Sequence, residues 1–282
     1  MKPIKIISDS TSDLSKELIE KYDIAILPLQ VNLGDESRFD GVDVQPDEIY
    51  AWANKNGKTP TTSAPSPDSV IELMGKYAQE YDIIAFTISS EMSSTYQTFC
   101  NAAGEFPESK ITVIDSRNLS TGIGLQIVTA AEMIKAGASY DEIVNKINEI
   151  IPKVRAGFVV EDVLFLHKGG RCSAMAAFGA TALKLRPTLK VEGGFIKVDK
   201  KVRGDIRSAT MKYAQGLEEN ILNADEDVVF ITHSGTTKEI IDDVYAYVSG
   251  LNKFKNIYIT RAGCVVSSHC GEGTLGVLFI SK

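Results

Sequence analysis

The chain has 282 residues, of which 44% are hydrophobic and 24% are charged, close to the averages of soluble globular proteins. This composition excludes disordered, collagen-like and disulfide-scaffold proteins, and the length suits one large domain or two medium ones. With 37 acidic against 30 basic side chains, the net charge is −7, which disfavours sequence-independent nucleic-acid binding because such binding needs a basic face.

The first 160 residues alternate between strand-like and helix-like segments. Residues 31–58 are less regular and predict a small β-rich excursion with a short helix opened by Pro46. Strands separated by helices imply βαβ units, so we expect residues 1–160 to form an N-terminal α/β domain with a parallel sheet. The predicted strands are 4–7, 24–29, 82–88 and 111–114. The predicted helices are 14–22, 66–81, one that follows the turn 89–95, 121–135 and 140–151.

The pattern changes near residue 160, where we place a domain boundary. Residues 188–198 predict a hairpin, because Gly193 and Gly194 supply the turn between two β-rich runs. Residues 161–282 therefore predict a C-terminal α+β domain with a mixed sheet. Its other predicted elements are helices at 207–222 and 240–248, a strand at 228–232, and three closing β-rich runs at 257–260, 264–267 and 275–280.

Four segments place hydroxyl side chains after a strand and before a helix. Such segments offer free backbone N–H groups and hydroxyl donors at the positive end of a helix dipole, where anions bind. In open α/β sheets, ligands also bind at the carboxyl ends of strands. The alternative is that each segment is a helix cap or a turn. The segments are 9–12, 61–63, 89–95 and 233–237.

Most catalytic motifs are missing from the sequence. Residues 271–276 match G-x-G-x-x-G by letters, but only six residues follow, so we reject a dinucleotide site. There is no G-x-S-x-G elbow, P-loop or histidine pair at a metal-ligand spacing. His269, before a glycine turn, is the strongest functional candidate of the three histidines. Arg171 can pair with an anion or be an ordinary surface arginine.

The sequence also favours a location in the cytoplasm. No apolar stretch approaches the roughly 20 residues that span a bilayer, and the N-terminus lacks the features of a signal peptide. The four cysteines are scattered, without a C-x-x-C pair, which fits a reducing compartment.

Taken together, these segments resemble the DegV family, the bacterial fatty-acid-binding proteins. The resemblance covers essentially the whole chain, and the motifs occur in the family's order. The matching segments are Asp9-Ser10-Thr11-Ser12-Asp13-Leu14, Asp40-Gly41-Val42-Asp43, Thr62-Ser63-Ala64-Pro65-Ser66, residues 88–97, Val113-Ile114-Asp115-Ser116, Gly122-Ile123-Gly124, Leu166-His167-Lys168-Gly169-Gly170-Arg171, His233-Ser234-Gly235 and residues 268–276.

The resemblance implies a protein that holds one long-chain fatty acid in a buried tunnel between its two domains. It further implies that a separate ATP-dependent fatty acid kinase phosphorylates the bound carboxylate to an acyl phosphate, within phospholipid metabolism. The chain would then be a lipid-binding subunit, not an enzyme, with the fatty acid as ligand and no cofactor, metal or nucleic acid. Transient contact with the membrane surface is compatible with that role. The Ala-rich residues 172–182 fit a packed helix or a gate to the tunnel.

Carried over by motif, the resemblance implies that Thr62 and Ser93 donate hydrogen bonds to the carboxylate, with Arg171 and His269 supplying donors or positive charge. Arg203 would lie at the head-group rim or contact the kinase. Ser63, Ser94 and Thr95 would line the same end.

Four positions depart from the family's usual residues: Ala64 stands for Gln, Ser94 for Gly, and Cys270 and Glu272 for Thr and Pro. The alternatives are a phosphotransferase or hydrolase that uses Ser93 and His269, and a sensor whose lipid is structural.

Overall fold

A computed structural model describes residues 2–172 and 185–282. Short 3-10 helices lie at Ser10–Ser12 and Ile151–Lys153. The strands are β1 (Ile4–Asp9), β2 (Ala25–Leu27), β3 (Gln30–Leu33), β4 (Glu36–Phe39), β5 (Thr61–Ser63), β6 (Asp82–Thr87), β7 (Ile111–Asp115), β8 (Val154–Val159), β9 (Leu185–Glu192), β10 (Phe195–Arg203), β11 (Ala224–His233), β12 (Asn256–Arg261) and β13 (Leu275–Ser281). The α-helices are α1 (Lys16–Lys21), α2 (Pro46–Asn56), α3 (Pro67–Gly75), α4 (Thr95–Ala103), α5 (Thr121–Lys135), α6 (Tyr140–Ile150), α7 (Val163–Gly169), α8 (Ile206–Gln215), α9 (Glu218–Leu222), α10 (Lys238–Gly250) and α11 (Cys264–Cys270).

The first sheet is parallel throughout, in the order β2-β1-β6-β7. Its central strands β1 and β6 are almost entirely buried, as expected for strands covered by helices on both faces. The alternation of strands and helices predicted from the sequence is confirmed here.

A small antiparallel sheet, in the order β4-β3-β5, branches from the first. The helix α2 follows β4, and Pro46 lies in its first turn as predicted, where the missing N–H of proline does no harm. The third strand, β5, brings Thr62 and Ser63 beside β3.

The second sheet is mixed, in the order β10-β9-β8-β13-β11-β12, and only the pair β11 and β12 runs parallel. Its first strand in the chain is β8, so sheet membership changes at Val154, whereas the sequence pattern places the boundary near residue 160. The hairpin predicted at 188–198 is confirmed, and Gly193 and Gly194 take φ of 62° and 87° in its turn, values that glycine adopts easily.

Two predicted elements are wrong in detail. Residues 264–267 form the start of helix α11, not a strand, because carboxylates from distant parts of the chain bind the backbone N–H groups at its beginning. The single helix predicted at 207–222 is two helices, α8 and α9, separated at Gly216. The Ala-rich segment 172–182 lies, from residue 173 onward, outside the described residues.

Helix α5 lies between the two sheets, and both pack on it. Its residues are buried nearly all round, which is typical of a helix with protein on every side. One apolar cluster joins Ile84 of the first sheet, Ile127 of α5 and Phe230 of the second sheet. The two sheets therefore share a core, and the residues after β1 and β6 face α11 of the C-terminal part. Within the described residues, no helix is long and apolar enough to cross a membrane.

Candidate functional site

A pocket lies where the ends of β1 and β6, the strand β5, the hairpin β9–β10 and the helix α11 meet. Its free space is about 560 Å³ with the open mouth included. No carboxylate belongs to the described lining. Most of the wall is apolar, and the residues are Thr11, Leu29, Thr62, Ser63, Ala64, Ile88, Met92, Ser93, Leu119, Arg171, Ile196, Val265, Val266, His269 and Cys270.

The polar part of the lining includes a contact between β5 and α11. Thr62 Oγ1 and His269 Nε2 lie 2.8 Å apart, within hydrogen-bond distance. The other ring nitrogen, Nδ1, is buried and has no hydrogen-bond partner among the described residues. Gly169 lies against this ring so closely that a Cβ there would overlap with Nδ1. Burial, followed by the charge of Arg171, lowers the pKa of His269 to about 4, so the ring is neutral at neutral pH.

The turn after β6 contributes one of its three predicted residues to the pocket. Ser93 lines it, and Ser93 Oγ lies 2.8 Å from Thr95 Oγ1. Thr95 is fully buried and its backbone N–H donates to Ser93 Oγ at 3.2 Å, so it supports Ser93 from behind. Ser94 is exposed at the start of α4 and lies outside the lining.

Arg171 brings a positive charge to the pocket. Its Nη1 donates to the carbonyl of Gly169 at 2.8 Å, and its Nε donates to the carbonyl of Met92 at 3.3 Å. No carboxylate pairs with it in the described part of the chain, so its charge is available to an anion. These two bonds hold the guanidinium beside Ser93 and next to the glycine that contacts His269.

The structure does not bring Arg203 to the pocket. This exposed residue ends β10, seven residues beyond Ile196, the β10 residue in the lining. At the usual rise of a strand, that separation is about 20 Å. Arg203 is therefore no part of the described lining, and its contact with the head-group rim or the kinase stays a prediction.

The four departures from the family pattern fall in different places. Ala64 and Cys270 line the pocket, and burial raises the pKa of the Cys270 thiol to about 12. Ser94 and Glu272 do not line it. Glu272 lies in a separate groove with Tyr50 and Phe165, so no acidic side chain of residues 2–172 or 185–282 opposes an anion at the polar part of the pocket.

Of the four hydroxyl segments, three supply lining residues: Thr11, the pair Thr62 and Ser63, and Ser93. The segment 233–237 supplies none. The apolar lining was not predicted from the sequence, since its residues come from many elements and carry no shared motif. A second pocket shares Leu119, Val266 and Cys270 with the first and extends apolar space towards Phe158 and Leu278.

Comparison with known proteins gives the family. Residues 3–282 match the model described as "Uncharacterised protein, DegV family COG1307". A DegV domain-containing protein of Clostridium acetobutylicum is 34% identical, with all of both chains covered.

Two solved structures share the whole fold. A DegV family protein of Thermus thermophilus, described by its fatty acid binding, is 27% identical with a TM-score of 0.91 and all of both chains covered. DegV of Bacillus subtilis, described as a fatty acid binding protein, is also 27% identical, with a TM-score of 0.87 and all of both chains covered. The chain belongs to the DegV family.

Proposed function

We propose that the chain binds one long-chain fatty acid in the pocket, with its carboxylate at Thr62, Ser63, Ser93, Arg171 and His269. The observation that carries this proposal is the composition of the lining. It combines polar donors and the guanidinium of Arg171, which pairs with no carboxylate among the described residues, with apolar walls. An ionised carboxylate only accepts hydrogen bonds, so it complements such a set. The fatty acids bound by the Thermus and Bacillus relatives support the same ligand class.

The hydrogen-bond pattern favours a donor role for Thr62. A proton on His269 Nδ1 would have no acceptor among the described residues, whereas a proton on Nε2 can be donated to Thr62 Oγ1. The hydroxyl hydrogen of Thr62 is then free to bond to a ligand oxygen, and His269 acts on the carboxylate by orienting Thr62, since its own proton is already donated. Arg171 adds the positive charge that the neutral His269 does not supply.

The acyl chain would provide most of the affinity. About 15 methylenes at roughly 0.8 kcal/mol each give a gross stabilisation of about 12 kcal/mol when they are buried. Association and ordering remove about 4 kcal/mol or more. The remainder is compatible with tight binding and slow release, since differences in affinity arise mainly from the dissociation rate.

We further propose that the bound carboxylate is presented to a separate ATP-dependent fatty acid kinase. A carboxylate oxygen would attack the γ-phosphorus of ATP, ADP would leave, and an acyl phosphate would form. The absence of a P-loop or kinase motif from the 282 residues supports a role for this chain as the lipid-binding subunit, without catalytic machinery of its own. The cytoplasm remains its proposed location.

The geometry disfavours the alternative hydrolase or phosphotransferase. Ser93 Oγ pairs with Thr95, and His269 Nε2 pairs with Thr62, so neither contact is the serine–histidine pair of a nucleophilic site. A histidine with a pKa of about 4 is also a poor general base at neutral pH. ATP or ester hydrolysis by the chain alone at an appreciable rate would favour the enzyme.

Native mass spectrometry, followed by denaturation and lipid extraction, tests the binding proposal. We expect a mass excess equal to one fatty acid. The double variant Thr62→Ala/Ser93→Ala should bind added fatty acid roughly thirtyfold more weakly, because two lost donors at about 1 kcal/mol each cost about 2 kcal/mol. The matched control is Ser69→Ala/Thr98→Ala, which removes the same two hydroxyl types outside the lining. Equal affinity in both double variants would contradict the assigned residues.

A further inference from the structure

The helix α11 begins on two buried carboxylates from the N-terminal half of the chain. Asp13 Oδ1 accepts the N–H of Gly263 at 2.8 Å. Asp40 Oδ1 accepts the N–H of Cys264 at 2.6 Å, and its Oδ2 accepts that of Val265 at 3.4 Å. These are N–H groups that have no acceptor within the helix itself, and negative charge at this end also complements the helix dipole.

Both carboxylates are fixed from their other side by hydroxyl groups. Ser10 Oγ donates to Asp40 Oδ2 at 2.9 Å, and Ser120 Oγ donates to Asp13 Oδ2. Asp13 and Asp40 are 6% and 5% exposed, and neither forms an ion pair within the described residues. In the described part of the chain, these two carboxyl groups are therefore stabilised by hydrogen-bond donors and not by a positive charge, and burial raises the pKa of both.

Gly263 allows the two carboxylates to approach the helix together. A Cβ at this position would lie 3.0 Å from both oxygens of Asp40 and 3.3 Å from Asp13 Oδ1. The contact therefore requires a residue without a side chain at the start of α11, because a Cβ would displace at least one of the two carboxylates.

The opposite end of the same short helix carries His269 and Cys270 to the pocket. Thr62, the partner of His269, lies on β5, and Asp40 directly follows β4, so both belong to the small sheet or its continuation. The small sheet thus contacts α11 twice, at its first N–H groups through Asp40 and near its end through Thr62. A shift of the first contact must move the second, since seven helical residues span only about 10 Å.

We propose that Asp13 and Asp40 are positioning residues for the fatty-acid head group, because they hold α11 where His269 meets Thr62. Neither side chain belongs to the pocket lining, so each acts through the helix. The part of this inference that concerns fatty acid rests on the proposed function, whereas the placement of His269 can be measured without any ligand.

The test uses Asp13→Ala and Asp40→Asn in the full chain. Asp40→Asn turns an NH₂ group towards one of the two backbone N–H donors. Asp13→Ala removes the acceptor of the Gly263 N–H, which an Asn could keep by turning its NH₂ group to the Ser120 hydroxyl. The matched control is Asp43→Asn, since Asp43 is exposed in the same loop as Asp40 and accepts only from Phe39 among its described bonds. Two readouts are taken: the NMR titration of His269 in ligand-free protein, and the rate of fatty-acid release.

We expect His269 in both variants to titrate closer to its ordinary pKa, and release to be at least about tenfold faster, as expected for the loss of a hydrogen bond to a charged group. Folded variants with the wild-type titration and release rate would overturn the inference. If neither variant folds, Ser10→Ala decides in the same way, since it loosens Asp40 and keeps both carboxylates. If the wild-type chain binds no fatty acid, the proposed function fails, and the titration of His269 still decides the positioning role.

Discussion

The two ends of α11 are both polar, yet they differ in how their hydrogen bonds are satisfied. At its start, the oxygens of Asp13 and Asp40 are occupied by backbone and hydroxyl donors from the protein itself. At its end, His269 makes one contact, to Thr62, and the neighbouring Arg171 has no carboxylate partner in the described part of the chain. The first cluster is complete without a ligand, and the second has donors left over.

This difference separates structural polar groups from binding groups. With Asp9, the two acids at the start of α11 form what we call the aspartate cluster. Burial raises the pKa of Asp9 to about 6 and raises those of Asp13 and Asp40 above their ordinary values, although hydrogen bonds oppose the shift. A strongly perturbed pKa is therefore no sufficient sign of a ligand site. The number of unused donors is the better sign in this protein.

The largest expected effect is on the pH dependence of stability, which should differ between His269 and the aspartate cluster. His269 has a folded pKa of about 4, below its ordinary value of 6.5, so its contribution to stability is full above pH 6.5 and is lost as the pH falls towards 4. A shift of this size corresponds to about 3 kcal/mol. We expect His269→Gln to remove this loss. In urea unfolding of the ligand-free proteins, the fall in the free energy of unfolding between pH 7.5 and 4 should then be smaller in the variant than in the wild type, by up to about 3 kcal/mol.

The aspartate cluster supplies the opposite control in the same pH window. Asp9 has a raised folded pKa, so the folded state holds more protons than the unfolded state between about pH 6 and 3.8, and its contribution to stability rises as the pH falls. Asp9→Asn should therefore make the acid-induced loss steeper than in the wild type. Parallel pH curves for wild type and both variants would contradict the assigned burial of these groups.

The next largest effect disrupts the complete cluster directly. Gly263→Ala places a Cβ against both oxygens of Asp40, and we expect the free energy of unfolding to fall by about 2 kcal/mol, as for other disrupted buried hydrogen bonds. Gly250→Ala is the matched control, since a Cβ there meets nothing within 4 Å at the end of α10. Equal stability of the two alanine variants in urea unfolding would show that the carboxylates can move aside freely.

The overall fold could be predicted from the sequence because its signals are local. Alternating strand and helix patterns gave the parallel sheet, and the Gly193-Gly194 pair gave the hairpin. The start of α11 was mistaken for a strand, since Val265 and Val266 favour strands. The carboxylates that bind its first N–H groups precede it by 250 and 224 residues, so no local pattern contains them.

Less of the site could be predicted from the sequence. The hydroxyl pattern indicated the segments 61–63 and 89–95, and the resemblance to the DegV family selected Thr62 and Ser93 from them; both line the pocket, and their contact with a ligand stays a prediction. The apolar lining depends on how the sheets and helices pack against each other, and this packing cannot be predicted from local patterns in a single sequence. The position of Arg203 depends on the length of β10, which carries it about 20 Å away from the lining residue Ile196.

A smaller effect is expected at the incomplete end of α11. Gly169→Ala would push the ring of His269 away from Thr62, because a Cβ there overlaps with Nδ1. We expect fatty-acid affinity to fall about tenfold, with less than about 1 kcal/mol lost in ligand-free stability, since the neighbouring pocket gives the ring space. Gly75→Ala, where the nearest atom would be an ordinary 3.7 Å away, controls for the substitution. A large fall in the free energy of unfolding with unchanged fatty-acid affinity would mean that His269 stabilises the fold and does not help to bind the ligand.

The smallest effect is expected at Glu272, which belongs to neither end of α11. Its sequence position suggests a carboxylate beside the head group, but it lines the separate groove with Tyr50 and Phe165. Glu272→Gln should therefore leave both stability and fatty-acid affinity within about 0.5 kcal/mol of the wild type, as is usual for surface changes. Removal of a nearby negative charge would instead tighten the binding of an anion, and more so at low salt. A salt-dependent gain in affinity would mean that the carboxylate of the ligand lies close to Glu272, and not among Thr62, Ser93 and Arg171.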